Sequence, residues 1–321
     1  MTTEPLPFTL TAASDAEKQA RDAVTFAEWG TRLSLEQFKE REARLRAHRW
    51  SRDAMRTWLL RDASGEVLSS CETFLTDCRV DGAWGQAWQI ASVFTEPHLR
   101  GRGHATRMLS LLVEQLGREP GLPLAVTLYS DVGAPIYERC GFRAVEPPHD
   151  WLLSPVHGDP GVGVELITGE VLASAHAAIR PPASPVLLWP SADELDWHLE
   201  RERIYAQMLG GPRPVACGAR AGDVVGLWAV SSRGGSLEVL VLGDGELRAQ
   251  RAVLEAARRV AAQAGLSQVR LWEDPLSGGE PPARALGGVR KPREGSLPML
   301  HPLSPRASVG GWHRLPRGLW V

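Results

Sequence analysis

The chain has 321 residues, 43% of them apolar, and a formal net charge of −2. That length suits two domains, each able to bury its own core. With no long run of one sign, the chain lacks the dense basic patch on which nucleic-acid and membrane-surface binders depend, so neither partner is expected. No apolar run approaches the ~18 residues a membrane helix needs. The opening MTTEPLPFTLTAASDAE lacks the basic-then-apolar order of a signal peptide, so a cytoplasmic location is expected. Cys71, Cys78, Cys140 and Cys217 form no C-x-x-C pair and have no histidines at zinc spacing. Reduced thiols and no bound metal are the expectation.

In chain order, a strand is predicted at Phe8–Ala12 and helices near Asp15–Trp29 and Ser34–His48, the second opened by a capping box of Ser34 and Gln37. Strands follow at Thr57–Arg61 and Val67–Phe74 across the turn Asp62–Gly65. Ala87–Thr95 ends in IASVF, apolar on both faces as a central strand should be. Ala105–Gly117 reads as a helix with Met108, Leu109, Leu111, Leu112 and Leu116 on one face. Leu124–Tyr129 is a buried strand, Ala134–Cys140 a short helix, and Arg143–Val145 and Asp150–Pro155 the last strands of this half. The Pro- and Gly-rich stretch from His157 to Pro190, with one helical patch near Gly169–Ile179, reads as a connection. Then come a helix at Asp193–Leu209, strands at Pro214–Arg220, Val224–Ser231 and Leu237–Leu242, a helix at Glu246–Ala264 and a strand at Gln268–Glu273. The end, closing in GWHRLPRGLWV, reads as loop.

Between the central strand and its helix lies Arg100-Gly101-Arg102-Gly103-His104-Ala105. The glycines permit positive φ and close backbone approach to a ligand. Successive N–H groups at a helix start form an anion nest, and two arginines raise the local positive field. The loop suits a phosphate or pyrophosphate, yet it is neither a Walker loop nor a G-x-G-x-x-G turn. Its spacing, Arg100-x-x-Gly103-x-Ala105, resembles the R/Q-x-x-G-x-G/A loop of the GNAT (GCN5-related) N-acetyltransferases. Downstream, Leu128-Tyr129-Ser130-Asp131 and Ile136-Tyr137-Glu138-Arg139-Cys140-Gly141-Phe142 are similar to the GNAT segment that carries a tyrosine on a short helix before Gly-Phe. The details IASVFTEP and LYSDVG look closest to the fungal lysine N-acetyltransferase family.

The resemblance implies an α/β (α+β) GNAT fold with a mixed, mostly antiparallel sheet flanked by helices. It also implies acetyl-CoA as cosubstrate. The backbone of Val93, Phe94 and Thr95 would hold the pantetheine arm and polarise the thioester carbonyl. Arg100, Gly101, Arg102, Gly103, His104, Ala105 and Thr106 would hold the pyrophosphate, with Arg102 and Arg107 reaching outer phosphates. Tyr137 would donate toward the departing thiolate. Glu72 and Glu96 are candidates for the base that frees the attacking amine. His98 and His104 read equally well as exposed side chains, and Cys140 lacks the paired histidine a thiol nucleophile needs.

The second half repeats the order of the first. LWEDP echoes LYSDV, and Ala285–Arg290 echoes Glu138–Arg143. Where the first half has RGRGHA, the second has Gly243-Asp244-Gly245-Glu246, whose carboxylates would repel a pyrophosphate, and no tyrosine maps onto Tyr137. The expected division is a catalytic GNAT domain at 1–155, a connection at 156–190 and a degenerate GNAT-like domain at 191–321, with an unrelated α/β domain as the alternative for the last. Among the tryptophans, Trp197, Trp228, Trp272, Trp312 and Trp320 are expected in the second core, or, for a few of them, along the acceptor site. The two halves are expected to meet between the helix Asp193–Leu209, with Trp197, Glu200, Arg201, Arg203 and Tyr205, and loops within Cys71–Trp88 carrying Asp77, Asp81 and Trp84. The reading is an acetyl-CoA-dependent N-acetyltransferase for a primary amine of a small molecule, an amino acid such as lysine being one. Another acyl-CoA donor, or a non-catalytic acyl-CoA sensor with a partner-binding second domain, stays open, as do the acceptor and the oligomeric state.

Overall fold

A computed structural model describes residues 8–121, 123–144, 148–159, 161–231, 234–273, 280–305, 307 and 315–321. The order is β1 (Phe8–Ala12), α1 (Asp15–Trp29), α2 (Leu35–Ala47), α3 (Arg49–Ala54), β2 (Met55–Asp62), β3 (Val67–Val80), β4 (Ala83–Thr95), α4 (His104–Leu116), β5 (Ala125–Ser130), α5 (Pro135–Glu138), β6 (Arg143–Ala144) and β7 (His149–Leu153). It continues with β8 (Val164–Ile167), α6 (Leu172–Ala177), β9 (Val186–Trp189), α7 (Ala192–Leu209), β10 (Gly218–Ala221), β11 (Val224–Ser231), β12 (Ser236–Leu242), α8 (Leu247–Gln263), β13 (Gln268–Trp272), β14 (Val289–Pro292) and β15 (Leu297–Pro302). The expected strand at Arg143–Val145 is described as far as Ala144; Val145, Asp274, Pro275 and Trp312 lie outside the described residues.

Two sheets result. The first runs β1-β2-β3-β4-β5-β15-β6, with β9 added to the far end of β3; the second runs β14-β7-β13-β12-β11-β10-β8. The strands therefore do not follow a cut after residue 155 or a start at 191. After β6 the chain leaves the first sheet, and β7 inserts between β13 and β14. After β14 it returns, and β15 inserts between β5 and β6. The connection supplies a strand to each sheet, β8 beside β10 and β9 beside β3. Each half thus lends the other a strand at the same place in its order, and the cores follow. Met299 of β15 is fully buried with Met108, Leu109, Leu112 and Leu116 of α4. Trp151 and Leu153 of β7 are buried with Trp228, Val253, Leu254 and Val260.

Local rules account for most elements. Ser14 with Glu17 and Ser34 with Gln37 form capping boxes at the starts of α1 and α2. Asp81 and Gly82, at φ 48° and 82°, make the tight turn between β3 and β4. The segment Cys71–Trp88 is therefore a hairpin rather than a set of loops. Pro298 and Pro302 gave β15 the punctuation of a loop; Pro298 stands opposite Tyr129 of β5.

The exchange makes a test. A chain ending at residue 155 would leave β5 without β15, β3 without β9, and Trp151 and Leu153 without a core. It should be insoluble or lack near-ultraviolet dichroism, and co-expression of residues 156–321 should restore both; a soluble fragment with the full-length near-ultraviolet spectrum would contradict the exchange. Met299→Ala should cost about 2–5 kcal/mol in a urea melt, the range for a buried large-to-small change.

Candidate active site

The parallel pairing of β4 with β5 stops at Ile90 and Leu128, while β4 runs on to Thr95. At the break β4 bulges: its register with β3 jumps from Glu72–Ala91 to Ser70–Phe94, so Ser92 and Val93 together oppose Cys71. Ser92 takes φ 52°, a left-handed conformation costly for a non-glycine residue. The bulge bends β4 away from β5. The gap opens into a cleft of about 1080 Å³ walled by Val93–Thr95, Arg100–Arg107 and Tyr137.

At one end of the cleft the chain turns through Gly101 and Gly103, both at φ 80°, into α4. The side chain of a larger residue would be strained there. Gly103 caps α4 without any side-chain acceptor, so the first-turn N–H groups keep their hydrogen-bonding capacity. The two loop arginines divide the work. Arg100 is ion-paired to Glu28, donates from Nε to the Thr95 carbonyl at 3.2 Å and lies over the Phe94 ring. Arg102 is exposed and, among the described residues, has no hydrogen-bond or ion-pair partner. His104 packs edge-on to Phe8, and Arg107 covers the same ring. The Thr106 carbonyl accepts from Ser110 Oγ at 3.0 Å and lies 3.5 Å from Cys140 Sγ. Burial pushes the Cys140 thiol up, which suits a packing group.

At the other end Tyr137 sits on α5, buried, edge-on to Phe142. Burial raises its hydroxyl to about 12, and Ser130 beside it opposes the shift.

A second pocket of about 340 Å³ shares Ile90, Ala91, Ser92 and Tyr129 with the cleft. Its floor carries Glu72 of β3, which accepts a hydrogen bond from Ser92 Oγ at 2.9 Å. Burial, then the negative charge of Glu42, lifts Glu72 to about 7, against the pull of Ser92 and Arg46. Its walls come from α1, α2 and α7. Asp22 receives a two-pronged contact from Arg46 at 2.8 and 2.6 Å. Arg41 bonds both Glu42 and the Tyr205 hydroxyl, tying α2 to α7. Arg201 lies over Trp197 and Trp320 and bonds Glu202 at 3.3 Å. Glu96, the other candidate base, is ion-paired to Arg21, with both side chains largely buried, and it lines neither cavity.

Two protein-family models match the sequence: an Acetyltransferase (GNAT) domain over residues 30–145 and a LYC1 GNAT-like C-terminal domain over residues 172–301. The chain belongs to the GNAT superfamily. By class it is an acyl-CoA N-acyltransferase. Solved structures share the fold. A conserved protein from Enterococcus faecalis V583, described as a probable N-acyltransferase, aligns over 92% of this chain and 72% of its own, with TM-score 0.61 and 13% identity. A GCN5-related N-acetyltransferase from Kribbella flavida covers 92% and 71%, at TM-score 0.56 and 18% identity. A putative acetyltransferase from Pyrococcus horikoshii covers 100% and 96%, at 0.56 and 12%. At these identities the likeness is one of fold. No curated protein matches the sequence.

In this GNAT enzyme the two halves do meet at a shared pocket, but not as expected from the sequence. Trp197, Arg201 and Tyr205 of α7 line it; Glu200 and Arg203 bond each other instead. Asp77, Asp81 and Trp84 lie toward the far end of the β3–β4 hairpin, outside the pocket, because that segment is paired strand and tight turn. The pocket's acidic side chains are Asp22, Glu42, Glu72 and, on the side it shares with the cleft, Asp131. Asp22 and Glu42 sit in charge-dense helices whose sequence reads as a solvated surface. The four cysteines are free and buried, and among the described residues no cluster of three metal-capable side chains occurs. Among those residues no helix is long and apolar enough to cross a membrane.

The raised Glu72 carries a cost that can be measured. A carboxyl whose folded value exceeds its unfolded one destabilises the fold as pH climbs from the unfolded value to the folded one, here from 4.5 to about 7. Glu72→Gln should therefore be the more stable protein at pH 8, by up to about 3 kcal/mol, with the advantage shrinking toward pH 4.5. Urea melts at both values check this; a constant difference would contradict the assignment.

Proposed function

We propose that this enzyme moves an acetyl group from acetyl-CoA to a primary amine of a small molecule, an amino acid such as lysine being the best fit. The observation that carries the reading is the shared wall. Glu72 stands on the acceptor side of Ser92 and Tyr137 on the donor side, so both ends of one proton path face the same break in the sheet. The cleft suits CoA: a glycine-turned nest with Arg102 for the pyrophosphate, and β4 backbone for the pantetheine arm. The pocket offers both signs of charge, as a zwitterion requires: Asp22, Glu42 and Glu72 against Lys18, Arg41 and Arg201.

The chemistry follows in order. The acceptor enters as an ammonium with a pKa of roughly 10.4, so freeing its lone pair at pH 7 costs about 4.6 kcal/mol. Glu72, poised near neutrality, takes that proton. The amine nitrogen then attacks the thioester carbonyl, the C–N bond forms and the C–S bond breaks. The departing sulfur ends as a thiol with a proton that the nitrogen loses, so one proton is released overall. With its hydroxyl near 12, Tyr137 is about 5 kcal/mol short of giving its proton outright to a thiolate whose acid has a pKa near 8.5. It serves as a hydrogen-bond donor that strengthens as negative charge grows on sulfur, with full transfer coupled to proton loss from nitrogen. A sensor that only bound acyl-CoA would have no use for a base of this strength beside the acceptor pocket.

Release of CoA thiol over a panel of primary amines, with acetyl-, propionyl- and succinyl-CoA as donors, tests the reading. Turnover is expected with acetyl-CoA and an amino-acid amine; binding of acyl-CoA without turnover on any amine would reject it. With the acceptor in hand, kcat/KM should rise with pH through about 7 as Glu72 ionises. Glu72→Gln should remove that limb and cost ~10²–10⁴ in rate, and Tyr137→Phe should lower kcat while sparing CoA affinity. Calorimetry should find one CoA per chain, lost in Arg102→Glu/Gly103→Asp; two equivalent sites, or binding unchanged by the pair, would contradict the loop's role.

A further inference from the structure

The second sheet repeats the break in the first. The parallel pairing of β12 with β13 stops at Val239 and Leu271, β12 runs on to Leu242, and its register with β11 skips Leu240. A cavity of about 340 Å³ opens there. It does not suit a pyrophosphate. Asp244 turns its own carboxylate onto the Gly245 N–H at 3.2 Å, and Gln250 donates to the Gly243 carbonyl at 3.0 Å. The walls combine Trp151, Trp189 and Trp272 with aliphatic strand residues and with the acids Asp244, Glu273 and Glu280. Into this surround the tail brings one cation, Arg317. Among the described residues its guanidinium has a single hydrogen bond, from Nη1 to the Trp320 carbonyl at 3.4 Å, and no carboxylate lies within ion-pair distance, although the charges of Glu238 and Glu202 reach it. Burial depresses it to about 9. The three acids of the cavity have partners of their own: Glu273 with Arg290 and Trp151, Glu280 with Arg251, and Asp244 with the Gly245 N–H.

We infer that this second cavity binds a small apolar carboxylate, its anion on Arg317 and its body among the tryptophans, and that its occupancy is felt in the acceptor pocket. A guanidinium with no carboxylate within ion-pair distance among the described residues, set beside tryptophan rings in a cavity whose own acids are held by other groups, is the complement of such a ligand. Two contacts connect the cavity to the acceptor pocket. Trp272 lies 5.4 Å from the ring of Tyr129, which walls both first-half cavities. Arg317 stacks on Trp320 at 4.1 Å, and Trp320 in turn lies under Arg201 at 5.0 Å. The tail is held in that path by the Gly318 carbonyl, which accepts from His198 Nε2 at 2.8 Å. Only the coupling rests on the acceptor pocket proposed above; the binding does not.

The probe is naphthalene-1-acetate, with naphthalene-1-acetamide as its neutral counterpart, titrated by calorimetry into the full-length protein already saturated with CoA. One equivalent of the acid should bind, the amide at least about tenfold more weakly, as loss of a charge-assisted hydrogen bond implies. Arg317→Met should abolish the preference for the acid. Leu271→Trp, which fills the cavity and keeps the arginine, should abolish binding of both. No binding of the acid to folded wild-type protein, equal binding of acid and amide, or binding that survives Leu271→Trp would overturn the site. The coupling is read separately, as a change in acceptor KM with the acid present; an unchanged KM with binding intact would overturn the coupling alone. An absence of any acetyl transfer, with binding intact, would count against the activity and leave the cavity standing.

Discussion

The whole arrangement depends on one break in backbone pairing. Two parallel strands, β4 and β5, hold together for three residue pairs and then part, because Ser92 is forced into a left-handed turn that gives β4 one residue too many. Hydrogen-bonding capacity along the parted edge is left for something other than β5. The same bulge brings the Ser92 hydroxyl to Glu72 on the neighbouring strand. A structural irregularity of about 1–3 kcal/mol thus makes the cleft, aims the carboxylate and joins the two cavities.

The exchange of strands explains why the second half has been kept close to this break. With β15 beside β5 and β7 beside β13, neither sheet is complete without the other. That fixes α7 against α2 through Arg41–Tyr205 and Arg44–Glu200, and the pocket over Glu72 acquires its aromatic and cationic wall. Glu194, at the start of α7, is buried against the back of β3 and β4, accepting from Thr76 and Gln89. Burial raises it to about 8, so it contributes as a hydrogen-bonding wedge more than as a charge. The second half has the same strand break, with Gly243-Asp244-Gly245-Glu246 where the first half has its glycine–arginine turn, and a cavity opens beside the break.

The sequence made legible what is local. The turn Arg100–Ala105 could be read because its glycines and the helix start that follows lie within six residues. Tyr137 could be read from its neighbours on one short helix. The acids of the pocket could not: Asp22 meets Arg46 and Arg41 meets Tyr205 only after α1, α2 and α7 have packed, and on the chain each looks like a solvated helix charge. The ion pair of Glu96 was hidden for the same reason, since its partner Arg21 lies 75 residues away. Strands β6 and β7 were expected near where they lie, but the choice of sheet for β7 is a matter of tertiary pairing that no local pattern encodes. The tryptophans considered for the second core divided by place: Trp228 packs that core, Trp197 and Trp320 line the pocket over Glu72, and Trp272 lines the cavity of the second sheet.

The claim most exposed to test is that the donor and acceptor meet at the Ser92 bulge. A crystal structure of the full chain with CoA addresses it in one observation. The account predicts the pyrophosphate over the Gly101–Thr106 turn, the pantetheine arm in the gap between β4 and β5, and the sulfur between Ser92 and the Tyr137 hydroxyl. CoA lodged in the cavity of the second sheet, or an arm whose sulfur ends away from Ser92, would contradict it.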